Sequence, residues 1–125
     1  VALSGSPAPD PITGYHAHVY YNDDNRPAAA ELRAELEARF EVVMGRWRDE
    51  PVGPHPEPMY QVAFGLDQFS TIVPWLMLHR RGLTVLVHPD TGNDVPDHRD
   101  YPLWLGAVLD LDLAFLERHA RSSGT

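Results

Sequence analysis

The chain of 125 residues contains no cysteine, so disulfide frameworks, thiolate nucleophiles and cysteine-ligated zinc are excluded. Any metal must be held by imidazole and carboxylate. Cations are also scarce. With 10 Lys plus Arg against 18 Asp plus Glu, the net charge of -8 leaves no basic footprint for a phosphate backbone, and nucleic acid is not an expected partner. No apolar run approaches the roughly 18 residues that read as a membrane span. The opening Val1 to Pro11 lacks the charged and apolar regions of a signal peptide, so a cytoplasmic protein with no membrane partner is expected.

What is present suits one folded domain: 43% of residues are hydrophobic and 22% charged, in a chain long enough to bury a core without staples. Prolines at 7, 9 and 11 among small polar residues mark residues 1–13 as a flexible arm, residues 14–120 as the domain and 121–125 as a fraying end. Tyr15 to Tyr21 alternates as a strand, closed by the turn and cap formers Asn22 to Asn25. Pro27 then opens a helix to Phe40, with Ala29, Leu32, Leu36 and Phe40 on one stripe. Glu41 to Arg48 is expected as a second strand with a possible bulge at Gly45, and Asp49 to Pro58, carrying four prolines, as a rigid loop around His55.

Met59 to Phe64 alternates as a third strand, and Asp67 caps a second helix to about Arg81, expected to kink or split at Pro74. Leu83 to His88 reads as a buried strand. The turn formers of Asp90 to Asp100 predict a loop containing His98, followed by an apolar anchor at Leu103 to Leu105 and a last helix within 109–120. The order β-α-β-β-α-β predicts an α+β, ferredoxin-like sandwich with an antiparallel sheet and helices on one face. The opposite face must be hidden by a homodimer, by the chain's own tail, or by use as a pocket, and with the apolar anchor at Leu103 to Leu105 a homodimer is expected.

Period two places Tyr15, Ala17, Val19, Tyr60, Val62, Phe64, Val85 and Val87 under the helices. The other face carries His16, His18, Gln61, Thr84, Leu86 and His88, with His55 in the adjoining loop. His16 and His18 stand about 7 Å apart along their strand, close enough to converge on one ion. Neutral imidazole is the commonest metal ligand, and His18, His55 and His88 are the expected ligands, with His16 carrying a proton. Arg46, Arg48, Gln61 and His98 are the candidates for holding substrate, the arginines by bidentate contact to a carboxylate. His79 and His119 read as surface residues, and Glu57, Asp90, Asp94 and Asp97 are acidic candidates that spacing does not rank.

The segments GYHAHVYY (14–21), GPHPEPMYQVAF (53–64), PWLML (74–78) and LTVLVHPDTGND (83–94) occur in the same order as in the DOPA 4,5-dioxygenase family of fungi and small bacterial proteins, which the chain resembles from Gly14 to Leu113. The resemblance implies extradiol cleavage of a catechol such as DOPA, with O2 and a non-haem Fe(II) that binds both catechol oxygens. Two other functions fit the same histidines: a zinc-dependent hydrolase or isomerase, and a dimeric binding module without turnover.

Overall fold

The computed structural model describes residues 11–123, so most of the expected arm, residues 1–10, and the last residues 124–125 lie outside it. The first strand, β1 (Gly14–Tyr20), is the centre of the sheet. It is followed by helix α1 (Arg26–Arg39), strands β2 (Val43–Met44) and β3 (Met59–Phe64), and helix α2 (Phe69–His79). Strand β4 (Val85–Asp90), helix α3 (Asp94–Arg99), strand β5 (Leu103–Leu105) and helix α4 (Leu113–Ser123) complete the chain. All pairings are antiparallel, in the order β2-β3-β1-β4-β5. The first four strands have the predicted ferredoxin-like arrangement, and the expected anchor at Leu103 to Leu105 is a fifth strand on the edge.

Local chemistry explains the elements that the sequence predicts. Asn22 and Asn25 each accept the other's backbone N–H, at 2.6 and 2.9 Å, which closes the turn before α1. Ala29, Leu32 and Leu36 are buried on one stripe of that helix, and the Tyr60 hydroxyl donates to the Ala29 carbonyl at 2.8 Å, tying β3 to it. Met44 pairs with Val62 but Arg48 with Met59, so residues 45–47 oppose only 60–61. This is a bulge at Gly45, and it cuts the expected second strand to Val43–Met44 plus one isolated bridge.

Three expectations are corrected. Helix α2 is one continuous element instead of two pieces at Val73, with its break earlier, in a 3-10 turn at Leu66–Gln68. The only bond Pro74 forgoes is to the carbonyl of Ser70, and both residues are exposed, so water can take that acceptor. The predicted loop 90–100 contains helix α3. Its Pro96 falls in the first turn, where a missing N–H costs nothing, and Asp94 and Asp97 complement the positive helix start. The helices are also not confined to one side. α1 and α2 cover the predicted core face, while α3, α4 and the segment between β5 and α4 lie over the other.

On that second side Tyr20, Met59 and Leu86 are buried under Trp104, Leu109 and Leu111, apart from the main core. The chain's own tail therefore covers the Tyr20, Met59 and Leu86 part of the face opposite α1 and α2. No helix among the described residues is long and apolar enough to cross a membrane.

Candidate metal centre

Register brings the histidines together. His16 is the direct cross-strand partner of His88, while His18 lies opposite Gln61 on one side and Leu86 on the other. In a pleated sheet such partners share a face, so His16, His18, His88 and half-buried Gln61 point the same way. His55 arrives from the proline-rich loop. That loop is fixed by His55 N–H donating to the Val52 carbonyl at 3.1 Å and by Asp112 N–H donating to the Pro54 carbonyl at 2.8 Å. Gly53 makes the turn with φ of 61°, and the ring of Phe115 in α4 would stand 3.4 Å from a Cβ there.

His98, a residue expected only to touch substrate, is carried into the centre by α3. Its ring centroid lies 4.1 Å from that of His88 and 6.1 Å from that of His18. Two compact triads result, His16–His18–His88 and His18–His55–His98, in each of which one nitrogen per residue lies within 4.8 Å of the others. His18 belongs to both. The expected trio His18, His55 and His88 is not one of these compact groups.

The tautomers follow from fixed partners. His88 Nδ1–H donates to the Pro89 carbonyl at 2.8 Å, and His98 Nδ1–H to the Asp94 carbonyl at 2.7 Å, which leaves a lone pair on each Nε2. Nε2 of His18 stands 3.0 Å from Nε2 of His88. Either a proton on His18 or a shared cation must separate these atoms. His18 is fully enclosed and its Nδ1 has no hydrogen-bond partner, so in either tautomer a buried nitrogen is left unsatisfied. His55 Nδ1 is hydrogen-bonded to the buried Tyr20 hydroxyl at 2.7 Å.

Burial, reinforced by the neighbouring imidazoles, holds the proton affinity of His18 well below the ordinary histidine value. The same causes lower His55 to about 4 and His88 to about 3. His16 is lowered too, by burial first, against the pull of Asp90. A cluster of neutral imidazoles is the protonation state that metal binding requires.

The carboxylates stay outside this inner group. Asp97 is buried but accepts from the Thr91 N–H at 2.9 Å and the Thr91 hydroxyl at 2.6 Å, which ties α3 to the end of β4. Glu57 and Asp94 are exposed, and Asp90 caps Gly92 N–H at 3.1 Å. Arg46 is exposed, and Arg48 sits half-buried opposite Met59, at the Tyr20 end of the sheet, so neither joins the histidines.

Two cavities reach the cluster. A groove of about 300 Å³ opens over the start of β1, with His16, Ala63, Val43, Glu41 and Asp90 on its walls. An apolar cavity of about 420 Å³ lies at the β4 edge between Tyr15, Phe69, Tyr101 and Leu103, with His88 on its wall.

Residues 15–115 match the Dopa 4,5-dioxygenase family. The chain belongs to that family. It is 32% identical over 117 residues to a DOPA 4,5-dioxygenase of Amanita muscaria, which covers 84% of this chain and 50% of that protein. An uncharacterized 21.2 kDa protein of Botryotinia fuckeliana is 34% identical over 116 residues, 83% of this chain and 63% of its own. The chain thus spans between half and two thirds of the length of these relatives. A crystal structure of a candidate dioxygenase from Nostoc punctiforme superposes with a TM-score of 0.85 at 57% identity, covering 86% of this chain and 94% of the other.

Proposed function

We propose that this Dopa 4,5-dioxygenase family member is an extradiol dioxygenase that opens a catechol ring with O2, using a non-haem Fe(II) held by histidine. The observation that carries the reading is the pair of Nε2 atoms of His18 and His88, 3.0 Å apart in a buried neutral cluster. Two buried, neutral imidazole nitrogens this close together could both donate to one divalent ion. The donor set fits. His16 completes the triad and is the member on the groove wall, so an ion held by the three residues would be reached from the groove. When bound, Fe(II) supplies the redox link between catechol and dioxygen.

This division departs from His55 as a ligand and His16 as proton carrier. His55 groups with His98 and is hydrogen-bonded to Tyr20, whereas His16 stands with His18 and His88. His98 is then the residue placed to take a catechol hydroxyl proton. Its Nδ1–H is committed to the Asp94 carbonyl, so Nε2 is its basic atom. Gln61, beside His18, can donate its amide to a substrate oxygen.

Anaerobic loading with Fe(II), followed by oxygen uptake on adding a catechol and appearance of the coloured ring-opened product, tests the reading. Retention of about one iron per chain with catechol-dependent uptake is expected. Zinc retained without uptake would favour the hydrolase or isomerase, and no metal at all the binding module.

A further inference from the structure

The walls of the groove carry a charge pattern that the cluster itself does not need. The row Val43, Ala63, His16 and His88 runs across β2, β3, β1 and β4 on one face, and the groove lies along the end of that row. Its carboxylates are Glu41, exposed just before β2, and Asp90, the partner of Gly14 at the end of β4. Among the described residues, no lysine or arginine lines it. Asp90 is the foremost carboxylate acting on His16, followed by Asp94 and Asp97, and the imidazole of His98 opposes them. Arg39, two residues before Glu41, is paired with Glu35 at 4.0 Å and is not on the groove wall, and Arg99, beyond Asp90, is paired with Asp100 at 2.8 Å. Arg46 and Arg48, the expected carboxylate clamp, are absent from the walls of both cavities, and the described residues that line the apolar cavity include no Asp, Glu, Lys or Arg.

A catechol whose two oxygens reach the triad through this groove must leave its ring substituent near Glu41 and Asp90. A carboxylate there would lose hydration without gaining a partner and would face two like charges. An ammonium group would gain two opposite ones. We propose, on the catechol-cleavage reading above, that Glu41 and Asp90 select for catechols with a cationic or neutral substituent and against those with a carboxylate substituent. The chemical class is that of an aminoalkyl or alkyl catechol. Glu41 and Asp90 are specificity residues in this proposal and take no part in the chemistry.

The test compares kcat/KM of the iron-loaded protein for 4-(2-aminoethyl)catechol, 4-methylcatechol and (3,4-dihydroxyphenyl)acetate, each at low and high salt. The aminoethyl compound is expected to exceed the acetate by tenfold or more, with methylcatechol between them and the gap shrinking as salt rises. In Glu41→Gln and Asp90→Asn the aminoethyl-to-acetate ratio should fall several-fold, Asn keeping the side-chain oxygen that accepts from Gly92 N–H. A preference for the acetate, or a ratio unmoved by both substitutions and by salt, overturns the proposal. Should no catechol be cleaved, the catechol reading fails separately. Calorimetry of phenethylammonium against phenylacetate on the same metal-loaded protein then decides the charge preference, and equal or tighter binding of phenylacetate overturns it.

Discussion

On the helix side of the sheet, Ala17, Val19, Val62, Val85 and Val87 are buried against Ala29, Leu32, Leu36, Ile72 and Leu76. On the opposite side, His18, His55, His88 and His98 are buried nearly as deeply. The first set gains by leaving water, at about 25 cal/mol per Å² of apolar surface. The second gives up hydration of imidazoles and leaves a nitrogen of His18 without a partner. Both sets alternate along β1. One strand thus carries the stability of the domain on its odd residues and the cost of a preformed ligand cluster on its even ones, and the two can be separated by substitution.

The largest separation is expected at His88. Replacing it by Ala removes one of the paired Nε2 atoms. Iron retention, measured by elemental analysis, and oxygen uptake should fall by at least about 100-fold, more than loss of an outer-shell partner produces. The melting temperature of the metal-free protein should stay the same or rise. A variant with full iron and full uptake would remove His88 from the centre and break the contrast.

Leu32→Ala is the converse. Leu32 is fully buried between α1 and the sheet, and truncation should cost about 2–5 kcal/mol in urea unfolding. The folded fraction should still bind iron with unchanged stoichiometry. Loss of metal at temperatures where the variant is still folded would mean that the two faces are coupled.

Acid should act on the histidine face first. In the metal-free protein His18, His55 and His88 have folded-state values below the 6.5 of an open chain, to about 4 for His55 and about 3 for His88. The unfolded chain therefore binds protons that the native cluster refuses. Stability is whole above 6.5 and falls as pH drops through the window toward those values. Urea midpoints between pH 7.5 and 4 should show this slope, and His88→Leu should flatten it. An unchanged slope in that variant would place the acid sensitivity elsewhere.

The smallest effect is expected for Tyr20→Phe, which deletes the 2.7 Å bond to His55 Nδ1 while keeping the ring packed on Trp104. A loss of about 1–3 kcal/mol in stability follows from the buried nitrogen left unpaired. Uptake should drop less than in His88→Ala, since His55 stays in place with a looser orientation. A collapse as deep as that of His88→Ala would make His55 a ligand after all.

Alternation is a local property of the chain, and the sequence by itself determined what depends on it. It set which residues of β1, β3 and β4 face the helices, the ferredoxin-like order of the first four strands, the shared face of His16, His18 and His88, and the approach of His55 in a proline-stiffened loop. Neighbours along a pleated strand must point to opposite sides, whatever the rest of the chain does. Only the tertiary structure decided the rest. α3 is too short and too rich in turn formers to announce itself, and it exists because Asp97 locks onto Thr91. His98 enters the cluster by that route. The bulge expected at Gly45 is present, but only the folded sheet shows that Arg46 is exposed and that Arg48 lies opposite Met59, away from the histidines. The tail that covers Tyr20 and Leu86 reaches them from residues 104–111, far along the chain. Which nitrogen of His88 and of His98 is free was likewise settled by the carbonyls of Pro89 and Asp94, because a ring's tautomer depends on the acceptor that folding places beside it.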